Sequence, residues 1–195
     1  MEVILEIKID NGAYPKKLKK IPNPPEKLYV DGNIENLDTP CLAVIGSRNC
    51  TDYGEKWCKY FVKELVKYGI TIVSGMALGI DSIAHRTALK CGGRTIAVLP
   101  CGFSNIYPKR NTGLYKNILN NKGTVITEYE LDIEAEYNRF LERNRIVSGL
   151  SMGVLVVEAA YRSGTSVTAR LAIAQKRDVF CIPRKFRQSK KCGNK

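Results

Sequence analysis

From residue 42 onward, short stretches dominated by apolar side chains recur along the chain, separated by longer stretches of mixed polarity. The apolar stretches are Leu42–Ile45, Ile70–Val73, Thr95–Leu99, Thr124–Ile126, Val154–Val157 and Val179–Ile182. A strand with one wet face alternates apolar and polar residues, whereas a parallel strand covered on both faces reads as an unbroken apolar run. The intervening segments carry helical periodicity. In the first, Trp57, Phe61, Leu65 and Tyr68 repeat at i, i+4, i+8 and i+11, which predicts an inward face, and Gly69 is placed to end the helix. Further helices are expected over roughly 80–91, 112–121, 135–150 and 166–177. Strands alternating with helices predict an α/β fold, a doubly wound, mostly parallel sheet with helices on both faces.

Residues 1–40 read differently. Tyr14-Pro15, Pro22, Pro24-Pro25 and Pro40 punctuate them, and X-Pro steps favour extended chain and turns. Lys27–Val30 is strand-like and runs into an Asp31-Gly32 turn. The expected organisation is an N-terminal extension (1–40) packing on the domain, an α/β domain (41–183), and a basic C-terminal tail (184–195).

Composition sharpens this picture in three ways. With 195 residues, 44% apolar and 26% charged, the chain suits one globular domain with a sizeable core. Its apolar runs are far too short to span a membrane, and the N-terminus lacks a small-residue cleavage site, so a cytoplasmic protein with no membrane association is expected. The seven cysteines are odd in number and irregularly spaced without a Cys-x-x-Cys pair, so reduced thiols rather than disulfides or a metal site are expected. The formal charge of +12 favours a polyanionic partner. Residues 184–195 contribute six cations and no acid, leaving +6 on the remainder, so charge alone does not locate a site.

In a doubly wound sheet, ligands bind beyond the carboxyl ends of the strands. The residues there are Gly46, Ser47 and Arg48 after the first run, Ser74, Gly75 and Ala77 after the second, and Ser163, Gly164 and Thr165 after the fifth. Small residues let backbone N–H groups approach a phosphate, and a following helix N-terminus favours an anion. No Gly-x-Gly-x-x-Gly or Walker lysine motif occurs, so no dinucleotide, ATP or other cofactor is expected. Arg48 is a candidate phosphate contact. Phe140 with Arg143, Asn144 and Arg145 interleaves an aromatic ring with cations, a pairing that tracks a single nucleic-acid strand by stacking and charge. Arg48 and the Arg143–Arg145 stretch must then share one side of the molecule, uncapped by internal acids. Glu158 is expected to hold backbone N–H groups of the Ser163–Thr165 loop. No Ser-His-Asp or Cys-His arrangement is evident, which argues against an enzyme.

At these same positions the sequence resembles the DprA (Smf) family of DNA-processing proteins. The likeness runs from Tyr14-Pro15 through Ala43-Val44-Ile45-Gly46-Ser47-Arg48 and Val73-Ser74-Gly75-Met76-Ala77-Leu78-Gly79-Ile80-Asp81 with Ala84-His85. It continues through Tyr107-Pro108, Phe140 with Arg143-Asn144-Arg145-Ile146, and Val156-Val157-Glu158-Ala159 to Ser163-Gly164-Thr165. The resemblance implies an extended Rossmann-like fold, single-stranded DNA as ligand, a homodimer, and RecA as the partner to which incoming DNA is handed during transformation. It implies Arg48 as the main phosphate contact, Phe140 as a stacking platform, Ser74, Gly75, Ser163, Gly164 and Thr165 as pocket donors, and a structural His85. The family pattern lapses where Pro183 is followed by Arg184. The rival reading is a LOG-like nucleoside-monophosphate hydrolase, whose Gly-Gly-x-Gly-Thr-x-x-Glu loop would fall at Arg162–Thr168 with Thr168 in place of the glutamate. A nucleotide-sensing module is the third reading.

Overall fold

Each apolar run becomes a strand in the computed structural model, which describes residues 4–160 and 163–183. The basic tail 184–195, and Tyr161 and Arg162 of the loop after the fifth run, lie outside the described residues. In chain order the elements are β1 (Leu5–Lys8), α1 (Lys16–Lys19), β2 (Lys27–Gly32), β3 (Cys41–Gly46), α2 (Asp52–Lys67) and β4 (Thr71–Ser74). There follow α3 (Ile80–Lys90), β5 (Thr95–Val98), α4 (Thr112–Asn120) and β6 (Thr124–Thr127), then α5 (Tyr137–Leu150), β7 (Gly153–Glu158), α6 (Gly164–Ala174) and β8 (Asp178–Cys181). Single 3-10 turns lie at Ile34–Asp38, Phe103–Asn105 and Lys109–Asn111.

All eight strands form one sheet in the order β1-β2-β6-β5-β4-β3-β7-β8. From β6 to β8 every neighbouring pair is parallel. β1 and β2 form an antiparallel pair, and β2 also runs antiparallel to β6. The proline-punctuated first 40 residues therefore supply two strands of the same sheet. The strand-like Lys27–Val30 is one of them, and β1 is the other, a strand whose alternation Leu5-Glu6-Ile7-Lys8 differs from the continuous apolar runs of the parallel strands and buries only Ile7.

Side chains alternate across the parallel strands and bury on both faces, as their unbroken apolar character requires. Ala43, Ile45, Val154 and Val156 join Ile146, Val147 and Leu150 of α5 and Leu18 of α1. Val44, Leu155 and Val157 face the other way, onto Cys58 and Val62 of α2 and Ile80, Ala84 and Ala88 of α3. Leu114 and Ile118 of α4 close a third cluster over Ala97 and Val125. The buried face of α2 is thus Gly54, Cys58 and Val62, one residue on from the expected Trp57–Phe61–Leu65–Tyr68 stripe. Trp57 and Phe61 are only half-buried, and Tyr68 is 82% exposed. Phe61 and Leu65 still pack against the edge of this core, while Trp57 packs against Tyr53, Tyr60 and Phe61 at centroid distances of 5.5–6.0 Å. Among the described residues no helix is long and apolar enough to cross a membrane.

Candidate nucleic-acid interface

Sheet order decides where a ligand can enter. From β3 the chain builds outward through β4, β5 and β6, then returns through α5 to place β7 on the opposite side of β3. The loops leaving β3 and β7 at their carboxyl ends therefore diverge, one toward α2 and one toward α6, and a crevice opens between them. A cleft of about 860 Å³ lies there. Its lining includes Gly46, Ser47 and Arg48, Gly75 and Ala77, Phe140, Arg143 and Asn144 of α5, and Ser163, Gly164 and Thr165 at the start of α6.

The first loop is held by backbone contacts. The β3–β7 register slips between Ile45 and Gly46, so Ile45 lies opposite Val156 while Gly46 lies opposite Glu158. A Cβ on Gly46 would sit 2.6 Å from Ile80 Cγ1, so only glycine lets the strand pass this close to α3. Ser47 N–H then donates to the Glu158 carbonyl (2.7 Å), and Ile80 N–H donates to the Ser47 carbonyl (3.2 Å). Arg48, next in line, is left exposed on the rim, its guanidinium 5.3 Å from the centroid of the Phe140 ring. Tyr107 packs edge-on against the same ring at 5.3 Å and 74°. The result is a cation resting on an aromatic pair, with one face of the assembly open to the cleft.

The second loop departs from expectation. Asp81, on the first turn of α3, accepts from the amides of Gly75 (3.1 Å) and Ala77 (3.3 Å) with Oδ2. Arg143 donates to the carbonyls of Gly75 (2.5 Å) and Val98. Asn111 Nδ2 donates to the Met76 carbonyl (2.7 Å) and Ser82 Oγ to that of Ala77 (2.5 Å). Met76 and Gly79 both have positive φ, 59° and 72°, which wraps the backbone around the carboxylate. The Gly75 and Ala77 amides thus serve an internal acid and not a phosphate. Ser74 is fully buried, and its hydroxyl donates to the Val44 carbonyl (2.7 Å), so it is not a pocket donor. Burial pushes the Asp81 carboxyl up and lowers the Arg143 guanidinium to about 10, so Arg143 stays charged at neutral pH.

Of Arg143 and Arg145, both expected at the site with one of them open to bracing the pocket, neither offers free charge to a ligand. Arg143 is 4% exposed and braces the cleft wall from inside. Arg145 pairs with Glu128 through both terminal nitrogens at 2.6 Å, and its Nε donates to the Asn23 carbonyl (2.9 Å). The α-helical period explains the split, since residues two apart on α5 face different ways. Arg145 is not among the residues lining the cleft, whereas Asn144 is. Glu158 is also reassigned. Its Oε2 accepts from Thr51 N–H (2.9 Å) and Thr51 Oγ1 (3.1 Å), securing the start of α2 rather than the Ser163–Thr165 loop.

Of the third loop, the structure describes the end, from Ser163 onward. Ser163 is the N-cap of α6 without a capping hydrogen bond, and its Oγ is buried with no partner among the described residues. The first-turn N–H groups of a helix lack intrahelical acceptors and carry the positive end of the macrodipole, so this end of α6 presents an anion-attracting surface to the cleft. His85, expected to be structural, is fully buried, with Nδ1 2.7 Å from Thr95 Oγ1.

Tyr107 (44% exposed) and Tyr137 (78% exposed) also line the cleft; Tyr107 carries part of the family resemblance, but neither was among the expected site residues. The available signal was positional, because each aromatic stands within three residues of Phe140 or of a cation pair, Lys109-Arg110.

A mostly parallel α/β sheet with a crevice at the switch point, floored by a bulged glycine and rimmed by an arginine on aromatic rings, defines a Rossmann-like domain. The chain belongs to the DNA recombination-mediator protein A family, whose model matches residues 6–195. It is 45% identical over 177 residues to Protein Smf of Escherichia coli, covering 91% of this chain and 47% of that protein. Among solved structures it is similar to DNA processing protein A (DprA) of Streptococcus pneumoniae, with a TM-score of 0.90 at 38% identity, over 95% of this chain and 65% of that one. DNA processing protein A of Helicobacter pylori, described for its single-stranded DNA binding mode, matches with a TM-score of 0.85 at 36% identity, over 97% and 86% of the two chains. The chain spans about half the length of the Escherichia coli relative.

Proposed function

We propose that this domain binds single-stranded DNA without sequence preference in the switch-point cleft. The observation that carries the reading is Arg48 held over Phe140 at the cleft mouth, with Tyr107 behind the ring. A guanidinium in this position contacts a phosphate while a neighbouring ring accepts a base, and stacking of this kind tolerates every base because each has a π-face. The α6 N-terminus supplies further donors for the backbone. The Helicobacter pylori relative, named for binding single-stranded DNA, supports the ligand class.

In this reading the protein acts in the cytoplasm as a non-enzymatic homodimer that protects incoming DNA and passes it to RecA. Asp81, the carboxylate nearest the cleft, is committed to two amides and faces Arg143, which favours binding over hydrolysis. Release of ribose 5-phosphate from AMP by the purified protein would instead establish the hydrolase.

Fluorescence anisotropy of labelled oligo-dT across a salt series tests the cleft. For single strands, log K falls with log salt by about 0.7 per phosphate contact, so Arg48→Ala should flatten the slope by roughly that amount. An unchanged slope and affinity would remove Arg48 from the site.

A further inference from the structure

The positive charge of the domain is not confined to its cleft. The segment joining β6 to α5, on the cleft side of the sheet, carries Glu128, Glu130, Asp132, Glu134 and Glu136 and no cation. Of the α5 arginines, Arg139 pairs with Glu136 (3.1 Å), Arg145 pairs with Glu128, and Arg143 is buried. Arg48, Lys109 and Arg110 stand exposed on that side, and among the described residues none of the three is in an ion pair, so the cleft side holds part of the positive charge and the rest lies elsewhere.

It gathers at the amino ends of the parallel strands, the opposite edge of the sheet. On one face, the exposed Lys63 and Lys67 near the end of α2, together with Arg94 and the Cys91–Gly93 turn, line a hollow of about 480 Å³. Arg94 is held only by neutral oxygens, donating to Thr71 Oγ1 (3.2 Å) and to the Gly69 carbonyl (2.7 Å). Thr71 Oγ1 lies 2.6 Å from Thr39 Oγ1, which lies 3.7 Å from the Cys41 sulfur at the start of β3. Burial pushes the Cys41 thiol up, and the nearby Thr39 hydroxyl, Lys17 of α1 and Arg94 oppose this only in part. The rim then continues onto the other face. Arg177 donates to the carbonyls of Lys17 and Gly149, both at 3.1 Å, beside the exposed Lys176. Lys16, Lys19 and Lys20 stand exposed around the same single turn of α1.

Among the described residues, none of these cations except Lys67 is in an ion pair, and Lys67 pairs with Glu64 at 2.7 Å. Acids are present on this edge at Asp38 and Asp178, but among the described residues neither is in an ion pair. Tyr68, 82% exposed, stands among the cations between Lys67 and the Gly69 carbonyl that Arg94 holds.

We propose that this amino-end rim is a second binding site for single-stranded nucleic acid, so that one domain holds two strand segments at opposite edges of its sheet. Unpaired lysines act as point charges toward phosphates and carry no sequence information. An exposed tyrosine among them is the stacking element that a single strand uses and a duplex does not. Strands of four to six residues separate the two edges, roughly 13–20 Å of sheet, so the sites are distinct and the rim does not depend on the cleft reading.

The test counts short oligo-dT strands bound per chain at saturation, on the full chain, for wild type, Arg48→Ala, and the triple variant Lys19→Glu, Lys63→Glu, Lys176→Glu. All three lysines are exposed and without ion-pair partners, and a thermal melt confirms that the variant folds. The expected result is two strands per wild-type chain and one per triple-variant chain, with rim affinity down at least about tenfold and the salt slope lower by about two. Energy transfer between donor- and acceptor-labelled oligomers bound to the wild-type protein should fall in the triple variant. One strand per wild-type chain, or two per triple-variant chain, overturns the proposal. So does a triple variant that loses polyglutamate binding while keeping wild-type oligomer stoichiometry, which assigns the rim to an acidic protein. Loss of a strand in Arg48→Ala reports on the cleft alone.

Discussion

Gly75 is clamped between Asp81 and Arg143, its N–H donating to the carboxylate at 3.1 Å and its carbonyl accepting from the guanidinium at 2.5 Å. The two charged side chains come from different helices and meet through one residue of the β4–α3 loop. That loop forms a wall of the cleft, so a charge pair buried behind it fixes the position of α5 and of Phe140, one turn before Arg143.

Removing Arg143 should therefore damage the fold before it damages binding. Arg143→Met leaves Asp81 as a buried carboxylate facing no cation, at an expected cost of about 3–5 kcal/mol in unfolding free energy. Denaturant titration by circular dichroism measures it. Arg145→Met, at a half-buried position paired with Glu128, should cost distinctly less.

The β3 and β7 loops are joined through Glu158 and Gly54. A Cβ at Gly54 would collide with Glu158 Oε2, which already accepts two hydrogen bonds from Thr51. Gly54→Ala should destabilise by about 1–3 kcal/mol. In a Glu158→Ala background the clash is gone, and the alanine should be close to neutral, a coupling that a double-mutant cycle reads directly.

Acid stability should carry the signature of His85. Burial, with Arg143 and Arg86 adding repulsion, lowers its folded pKa from 6.5 to about 3. The unfolded chain therefore binds a proton that the folded chain refuses between those values. Stability from this group is complete above pH 6.5 and declines as pH falls toward 3, by about 1.4 kcal/mol per pH unit at most. His85→Gln should flatten that limb of the stability–pH curve. A His85 Cε1 proton resonance that titrates near pH 6.5 in the folded protein would contradict the burial.

The central strands were legible because burial on two faces leaves continuous apolar runs such as Val154–Val157, and no other element of this length reads that way. The loops after them were legible too, since glycine and small residues at strand ends mark close backbone approach, as Gly46 demonstrates against Ile80. What the sequence did not disclose is direction. Gly75 and Ala77 are small loop residues whether their amides face a ligand or Asp81, and only the positive φ of Met76 and Gly79 turns them inward. Arg143 and Arg145 are equally cationic on paper, yet one lies under the cleft wall and the other on Glu128. The α2 stripe missed by one residue because Trp57, Tyr60 and Phe61 satisfy one another on the surface, which hydrophobicity alone does not distinguish from a core. The net charge pointed to a polyanion without saying which edge would hold it.

The contact between Arg48 and Phe140 is the centre of the binding account, and an affinity cycle tests it most directly. Oligo-dT binding is measured by anisotropy for wild type, Arg48→Ala, Phe140→Ala and the double variant, at a salt concentration held constant and with folding checked by thermal melt. Each single change should weaken cleft binding by about 1–3 kcal/mol, from a lost charge-assisted phosphate contact or a lost base stack. The double variant should lose less than the sum, because the ring and the guanidinium position one another. Wild-type affinity in both single variants, with the fold intact, would contradict the assignment of this cleft to DNA.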